Sequence, residues 1–296
     1  MAHEPGWTVL RALDWATQEL ARQGFESPRL EAEVLLGHTL GMGRVDLYLH
    51  FDRPLTPQEL SAFKSHLAKR LEHFPLQYIT GRTQFMSSEL LVCPGVFIPR
   101  PETEVLVEEA IVRLRRRSEG ETPLVIVDLG TGCGNIAISL AREFPQARVY
   151  AVDVSPEAVA IARENAVRNG VAGSIHFLVG DLFEPLKGRG LEGGVDLLVS
   201  NPPYIPRGEM GSLPPEVGLF EPREALDGGQ DGMDFHRRIV AQAPDFKNPG
   251  AWLALEVGEG QAQRARSMLL SDGKFRGVEV IKDYAGIERV VIGERA

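Results

Sequence analysis

The chain is expected to be an α/β protein. A mainly parallel, seven-stranded sheet covered by helices should follow a small all-helical module and a β-hairpin linker. Three observations lead there. From residue 124 onward, short β-branched apolar runs alternate with helical periodicity. Residues 8–75 carry helical periodicity alone. The last two strand candidates, Val278–Ile281 and Arg289–Ile292, flank Asp283-Tyr284-Ala285-Gly286, too short a connection for a helical crossover. Those two strands must therefore pair antiparallel. The divisions expected are residues 1–76 for the helical module, 77–98 for the hairpin linker and 99–296 for the sheet domain.

In the helical module, Thr8 opens a helix through Val9, Leu13, Ala16 and Leu20. Ser27-Pro28 opens a second, with proline at its first position and Gly41 at its end. A short helix spans Arg44–Leu49. Thr56-Pro57-Gln58-Glu59 is a capping box ahead of Leu60, Phe63, Leu67 and Leu71. The module carries no chemical motif and is read as a recognition or docking unit. The hairpin is expected from Thr83–Met86 and Glu89–Val92 about a Ser87-Ser88 turn. Then comes Val96-Phe97-Ile98-Pro99-Arg100-Pro101-Glu102-Thr103-Glu104, extended and proline-stiffened, with a helix opening at Glu102 or Thr103. This segment is either a plain linker or a strap laying Phe97 over a neighbouring cleft.

The sheet domain begins with the strand Leu124–Leu129, the turn Gly130-Thr131-Gly132-Cys133-Gly134 and a helix through Ile136 and Leu140. Val149–Val154 is a strand with Asp153 at its end, followed by Ser155-Pro156-Glu157 as a helix cap. Ile175–Val179 is the third strand, leading to Asp181 and Leu182. The fourth, Val195–Val199, runs into Ser200-Asn201-Pro202-Pro203-Tyr204, and Trp252–Val257 is the fifth. Residues 205–232, rich in Pro, Gly and Glu, read as a long functional loop.

Bulk properties exclude several classes. A chain of 296 residues with 43% hydrophobic and 25% charged residues is an ordinary globular protein. Its net charge of -9 argues against sequence-independent nucleic-acid binding, which needs lysine and arginine against phosphates. The local run Arg113, Arg115, Arg116 and Arg117 reads as a solvated helix face. Two cysteines, Cys93 and Cys133, give neither a disulfide framework nor a zinc-ligand spacing, and no metal is expected. Met1–Trp7 lacks the basic and apolar regions of a signal peptide, and no apolar run reaches membrane-spanning length. The expected location is cytoplasmic.

The chemistry converges on Asn201-Pro202-Pro203-Tyr204. Two prolines stop the strand and stiffen the turn after it. They leave the Asn201 carboxamide, the Pro202 carbonyl and the flat Tyr204 ring at the strand's C-terminal edge. Two acceptors beside an aromatic wall suit a planar –NH2 guest, although Asn and Pro also end strands for no other reason. The glycine turn lets a backbone approach a ligand closely, and an acid ending the second strand can hold ribose hydroxyls. Its third glycine comes one position earlier than in the dinucleotide fingerprint, which favours a compact nucleoside without a pyrophosphate. A nucleotide-dependent dehydrogenase is the competing possibility.

Asp128-x-Gly130-x-Gly132-x-Gly134 with Asp153 and Asp181 resembles the S-adenosylmethionine site of class I methyltransferases, a Rossmann-like fold. The resemblance implies that Asp128, Gly130, Thr131, Gly132, Cys133 and Gly134 bind the cofactor with Asn201. It implies that Asp153 holds the ribose, that Asp181 contacts the adenine amino group, and that Leu182 lies along the base. Adding the hook, the Phe97–Glu104 segment and Phe220-Glu221-Pro222-Arg223-Glu224-Ala225-Leu226, the full length resembles the release factor glutamine methyltransferases (the PrmC/HemK family). That family methylates the glutamine of a Gly-Gly-Gln loop in class I peptide chain release factors, leaving S-adenosylhomocysteine. Leu182 departs from relatives that carry an aromatic there.

The resemblance implies catalytic roles for Asn201, Pro202 and Tyr204, with Pro203 and Phe97 completing the substrate site. Glu102, Arg100 and Glu221 are substrate contacts or, preferably, cap and ion-pair residues. A nucleic-acid methyltransferase using the same hook and a non-catalytic cofactor-binding protein are the rival classes. The acidic charge and the intact Asn201 and Asp153 oppose them in turn. Gly228-Gly229-Gln230 repeats the substrate tripeptide and is read as a coincidence of turn residues.

Overall fold

In the computed structural model, residues 6–117, 123–271 and 273–296 are described, so most of the Met1–Trp7 segment lies outside them. The chain divides into two compact units.

The first unit runs to Gly81 and takes back Pro215–Phe220. Its helices are α1 Val9–Arg22, α2 Pro28–Leu40, α3 Arg44–Leu49, α4 Pro57–Leu71 and α5 Leu76–Thr80. The caps expected from sequence are present. Thr8 Oγ1 accepts from Arg11 N, Gly41 ends α2 at φ 65°, and Thr56 and Glu59 bond reciprocally. One apolar core, including Leu13, Leu20, Leu35, Phe63 and Leu67, joins the helices. The boundary expected after residue 76 falls at the first residue of α5, whose Tyr78 is buried. The return of Pro215–Phe220 was not legible in sequence. It contains α9 Pro215–Gly218, and Arg70 binds both Glu31 and Glu216 while Phe220 meets Phe74 edge-on at 5.2 Å.

The second unit holds Arg82–Pro214 and Glu221–Ala296. Its hairpin is β1 Arg82–Phe85 with β2 Ser88–Leu91, turning at Met86-Ser87, one residue earlier than expected. The hairpin belongs to this unit because it is bonded into it. Asn165 takes Leu91 N–H on Oδ1 (2.7 Å) and gives Nδ2–H to Leu91 O (3.0 Å), and Arg142 donates to Ser87 O.

The larger sheet follows α6 Thr103–Arg115. In chain order come β3 Val125–Leu129, α7 Asn135–Glu143, β4 Arg148–Asp153, α8 Pro156–Arg168, β5 Ile175–Val179 and β6 Val195–Ser200. Then follow α10 Asp234–Phe246, β7 Lys247–Glu256, α11 Ala262–Ser271, β8 Phe275–Lys282 and β9 Glu288–Arg295. Spatial order is β5-β4-β3-β6-β7-β9-β8, with β9 antiparallel to both neighbours. The expected antiparallel final strand is thus present, inserted between β7 and β8. Sequence periodicity did not single out α10 or α11. Residues 205–232 are not a plain loop: besides α9 they contain 3-10 turns at Arg207–Ser212 and Arg223–Ala225. Among the described residues, no helix is long and apolar enough to cross a membrane.

Strand order reverses at β3, which has β4 on one side and β6 on the other. The C-terminal edge of such a sheet opens a crevice there. Leu129 is in register with Ser200, which brings Gly130 and Asn201 side by side.

Candidate active site

The hook begins where β6 ends. Every residue of β6 is buried, and Ser200 Oγ donates to Leu129 O at 2.6 Å, locking the strand's last residue to β3. Asn201 follows, half-buried, and its Nδ2 donates to Thr103 Oγ1 at 3.1 Å. The opposite end of the planar carboxamide, Oδ1, is therefore turned away from Thr103. Tyr204 O accepts from Gln261 Nε2 at 2.8 Å, and the phenol donates to Glu256 Oε1 at 3.4 Å. Burial, with the Glu256 carboxyl beside it, pushes the Tyr204 phenol up, so it stays protonated.

Gly228-Gly229-Gln230 lies against this hook. Gly228 N–H donates to Ile205 O at 2.8 Å, and Ile205 N–H donates to Leu226 O at 3.0 Å. A Cβ on Gly228 would stand 2.7 Å from Tyr204 Cα and 2.8 Å from Pro203 O. The glycine is there so that two backbones can touch. Gln230 itself is exposed.

The glycine turn is built by Asp128 and Asp153. Asp128 is fully buried, its Oδ2 accepting the Thr131 hydroxyl at 2.6 Å. Burial pushes its carboxyl up to about 7 against that hydrogen bond. Asp128 thus acts on the turn through Thr131. Asp153 is half-buried and accepts Gly132 N–H on Oδ2 (2.8 Å) and Ser155 N–H on Oδ1 (2.9 Å). Burial raises its pKa. Gly130, Gly132 and Gly134 are all left-handed, at φ 75°, 56° and 89°. The Cys133 thiol is buried and pushed up to about 12, so only its backbone is on offer; Cys133 O accepts from Asn165 Nδ2 at 2.9 Å. Gly134 leaves no room for a side chain, since a Cβ would stand 3.1 Å from Ala162 Cβ.

Two other sequence candidates stand apart in character. Asp181 is paired with Arg238 of α10, which leaves its Oδ1 as the freer oxygen. Leu182 is 8% exposed and sits in the core at φ 47°, a strained backbone for a leucine.

The Phe97–Glu104 segment is anchored rather than a plain linker. Glu221, with its side chain buried, accepts Ile98 N–H at 3.2 Å and pairs with Arg100, whose guanidinium lies 4.9 Å over the Phe97 ring. Glu221 and Arg100 are therefore ion-paired with each other. Glu102 sits at the N-cap of α6 without a side-chain cap bond.

The sequence does not single out Asn165, Gln261 or Glu256, and it marks Thr103 only as a helix opener. Glu256 had a signal: it is the lone acid in the apolar run Trp252–Val257. It is fully buried, its Oε2 has no hydrogen bond among the described residues, and its carboxyl faces the Tyr204 and Thr103 hydroxyls. Burial pushes it up to about 7, against the pull of Thr103, Arg289 and Tyr204.

Comparison with known proteins matches residues 11–81 to the PrmC N-terminal domain and residues 103–211 to the methyltransferase small domain. The release factor glutamine methyltransferase of Geobacter sulfurreducens is 45% identical, covering 97% of this chain and 96% of that protein. The chain belongs to the release factor glutamine methyltransferase family. Family members from Moorella thermoacetica (43% identical; 97% of this chain, 99% of that protein) and Chlorobaculum tepidum (40%; 98% of each) match as fully.

The protein is thus an S-adenosylmethionine-dependent methyltransferase. The turn suits that nucleoside. A Cβ on Gly132 would meet nothing within 4 Å, and the half-buried Asp153 carboxyl is held by the Gly132 and Ser155 N–H groups at the turn. Gly130 lies beside the hook, its Cβ position 3.9 Å from Asn201 O, so the glycine turn and the hook are neighbours at the C-terminal edge of the sheet.

Proposed function

We propose that this protein methylates the side-chain N5 of the glutamine in the Gly-Gly-Gln motif of class I peptide chain release factors, in the cytoplasm, in support of translation termination. The observation that carries the proposal is the Asn201 carboxamide, held by Thr103 through its nitrogen and set beside the glycine turn. An amide nitrogen is a weak nucleophile because its lone pair is delocalised into the carbonyl. The bound cofactor supplies a methyl group already activated on sulfonium sulfur. The protein's own work is alignment. Asn201 Oδ1 and the Pro202 carbonyl accept the two amide hydrogens, while Tyr204 and Phe97 pack on the flat side chain and exclude water. Alignment of two bound reactants supplies on the order of 7–11 kcal/mol of barrier lowering. The two acceptors also stabilise positive charge developing on nitrogen until one amide proton is released to solvent, with S-adenosylhomocysteine left as the leaving group. Asp153 holds the ribose, Asp181 faces the adenine amino group through its free oxygen, and the glycine-turn backbone passes the methionine portion. The helical unit is the recognition module for the release factor, and no nucleic acid is engaged directly.

The test is mass spectrometry of a purified class I release factor after incubation with the protein and S-adenosylmethionine. One methyl group on the Gly-Gly-Gln glutamine is expected with the wild type and none with Asn201→Ala. An unmodified glutamine, or label appearing in nucleic acid instead, refutes the proposal.

A further inference from the structure

The proline-stiffened segment before α6 ends at Thr103, and Thr103 is the residue that touches Asn201. We propose that Thr103 is a positioning residue that determines which end of the Asn201 carboxamide faces the substrate; this deepens the function proposed above and rests on it.

A primary carboxamide has nearly the same shape at both ends, so sterics cannot choose its orientation. With Nδ2 outward, two donors would confront each other and the substrate nitrogen would not be held. Thr103 Oγ1 makes the choice by accepting from Nδ2 at 3.1 Å. A hydroxyl has a single hydrogen, and it must be spent elsewhere if the oxygen is to keep accepting from Asn201. The Glu256 carboxyl lies near enough for the Thr103 hydroxyl to pull its pKa down, which favours that hydrogen pointing toward Glu256 and away from Asn201. Thr103 is 0% exposed, so bulk water cannot substitute for its contact with Asn201.

Three elements deliver these groups. Thr103 is the first residue of α6, Asn201 follows β6, and Glu256 ends β7, the neighbour of β6. The segment leading to Thr103 is held at Ile98 and Arg100 by Glu221. The stiffness of Pro99 and Pro101 thus places one hydroxyl behind one carboxamide.

Thr103→Val removes the hydroxyl at nearly constant shape, and Thr103→Ser keeps it. Steady-state methylation of a purified release factor, calorimetric S-adenosylmethionine binding and thermal melting are measured on all three proteins. For Thr103→Val, kcat should fall roughly tenfold to a hundredfold, the cost of a lost orienting hydrogen bond and an orphaned amide. KM for the release factor and cofactor affinity should stay within about twofold, since neither depends on which way the amide points. Thr103→Ser should recover most of the lost kcat. Full kcat in Thr103→Val, or a serine variant as impaired as the valine one, overturns the positioning role. So does a loss of cofactor affinity matching the loss of kcat. Failure of the wild type to methylate the release factor would instead refute the function itself, so the two failures are distinguishable.

Discussion

Substituting Gly228 with alanine isolates one requirement of the hook. Gly228 does not lie at positive φ, so alanine's backbone is permitted and only space is at issue. The added Cβ would stand 2.7 Å from Tyr204 Cα and 2.8 Å from both Pro203 O and Tyr204 C. All three neighbours are main-chain atoms, so no flexible side chain can give way. Relief to ordinary contact requires a shift of roughly 0.7 Å in the Pro203–Tyr204 backbone or in the segment opposite it. Overpacking of this kind costs about 1–3 kcal/mol of stability. In a unit of this size that corresponds to a fall in Tm of about 2–4 °C per kcal/mol. A displacement approaching 1 Å at a catalytic group costs about a hundredfold in rate. Gly228→Ala should therefore lower kcat by roughly ten- to a hundredfold, while calorimetric binding of S-adenosylmethionine changes by less than about threefold. Gly208→Ala, with nothing within 4 Å of its Cβ, is the control and should behave as wild type. A Gly228→Ala protein with wild-type kcat and Tm would show that the hook tolerates movement, and the mechanism proposed from its rigidity would fall.

Asp153→Ala should weaken S-adenosylmethionine binding at least tenfold by calorimetry, because it removes both the proposed ribose acceptor and the acceptor of Gly132 N–H; unchanged affinity would exclude Asp153 from the cofactor site. Asp128 is an acid raised from 3.8 to about 7, so the folded state keeps its proton where the unfolded chain loses it. Its stabilising contribution is complete below about pH 4 and is lost as pH rises through about 7, on the order of 4 kcal/mol at most. Denaturant melts of wild type and Asp128→Asn should accordingly draw together, or cross in favour of asparagine, between pH 5 and 8; a constant difference would contradict it. Gln230 should remain unmethylated when the purified protein is incubated with cofactor and digested for mass spectrometry, since Gly228 and Gly229 are packed against the hook and Asp234.

Much of the architecture is legible along the chain because it is set within a few residues. The capping box at Thr56, the glycine stop at Gly41 and the proline-terminated β6 each report a local backbone preference. The short Asp283–Gly286 connection likewise forces β8 and β9 antiparallel. The motif residues of the site also stand out, because prolines and clustered glycines are punctuation in any sequence. What a side chain does once placed is another matter. Asn201 finds Thr103 at a separation of 98 residues, Leu91 finds Asn165 at 74 and Arg100 finds Glu221 at 121. No local propensity encodes such pairs; they arise when the sheet order stacks distant strand ends on one edge. The same holds for the Pro215–Phe220 return to the helical unit, where Arg70 and Phe74 supply partners that a Pro- and Glu-rich stretch does not announce. Composition and spacing name the chemical groups available to the reaction. Long-range packing, by occupying one end of a carboxamide and burying one carboxyl, settles which of their atoms are left free at the strand edge.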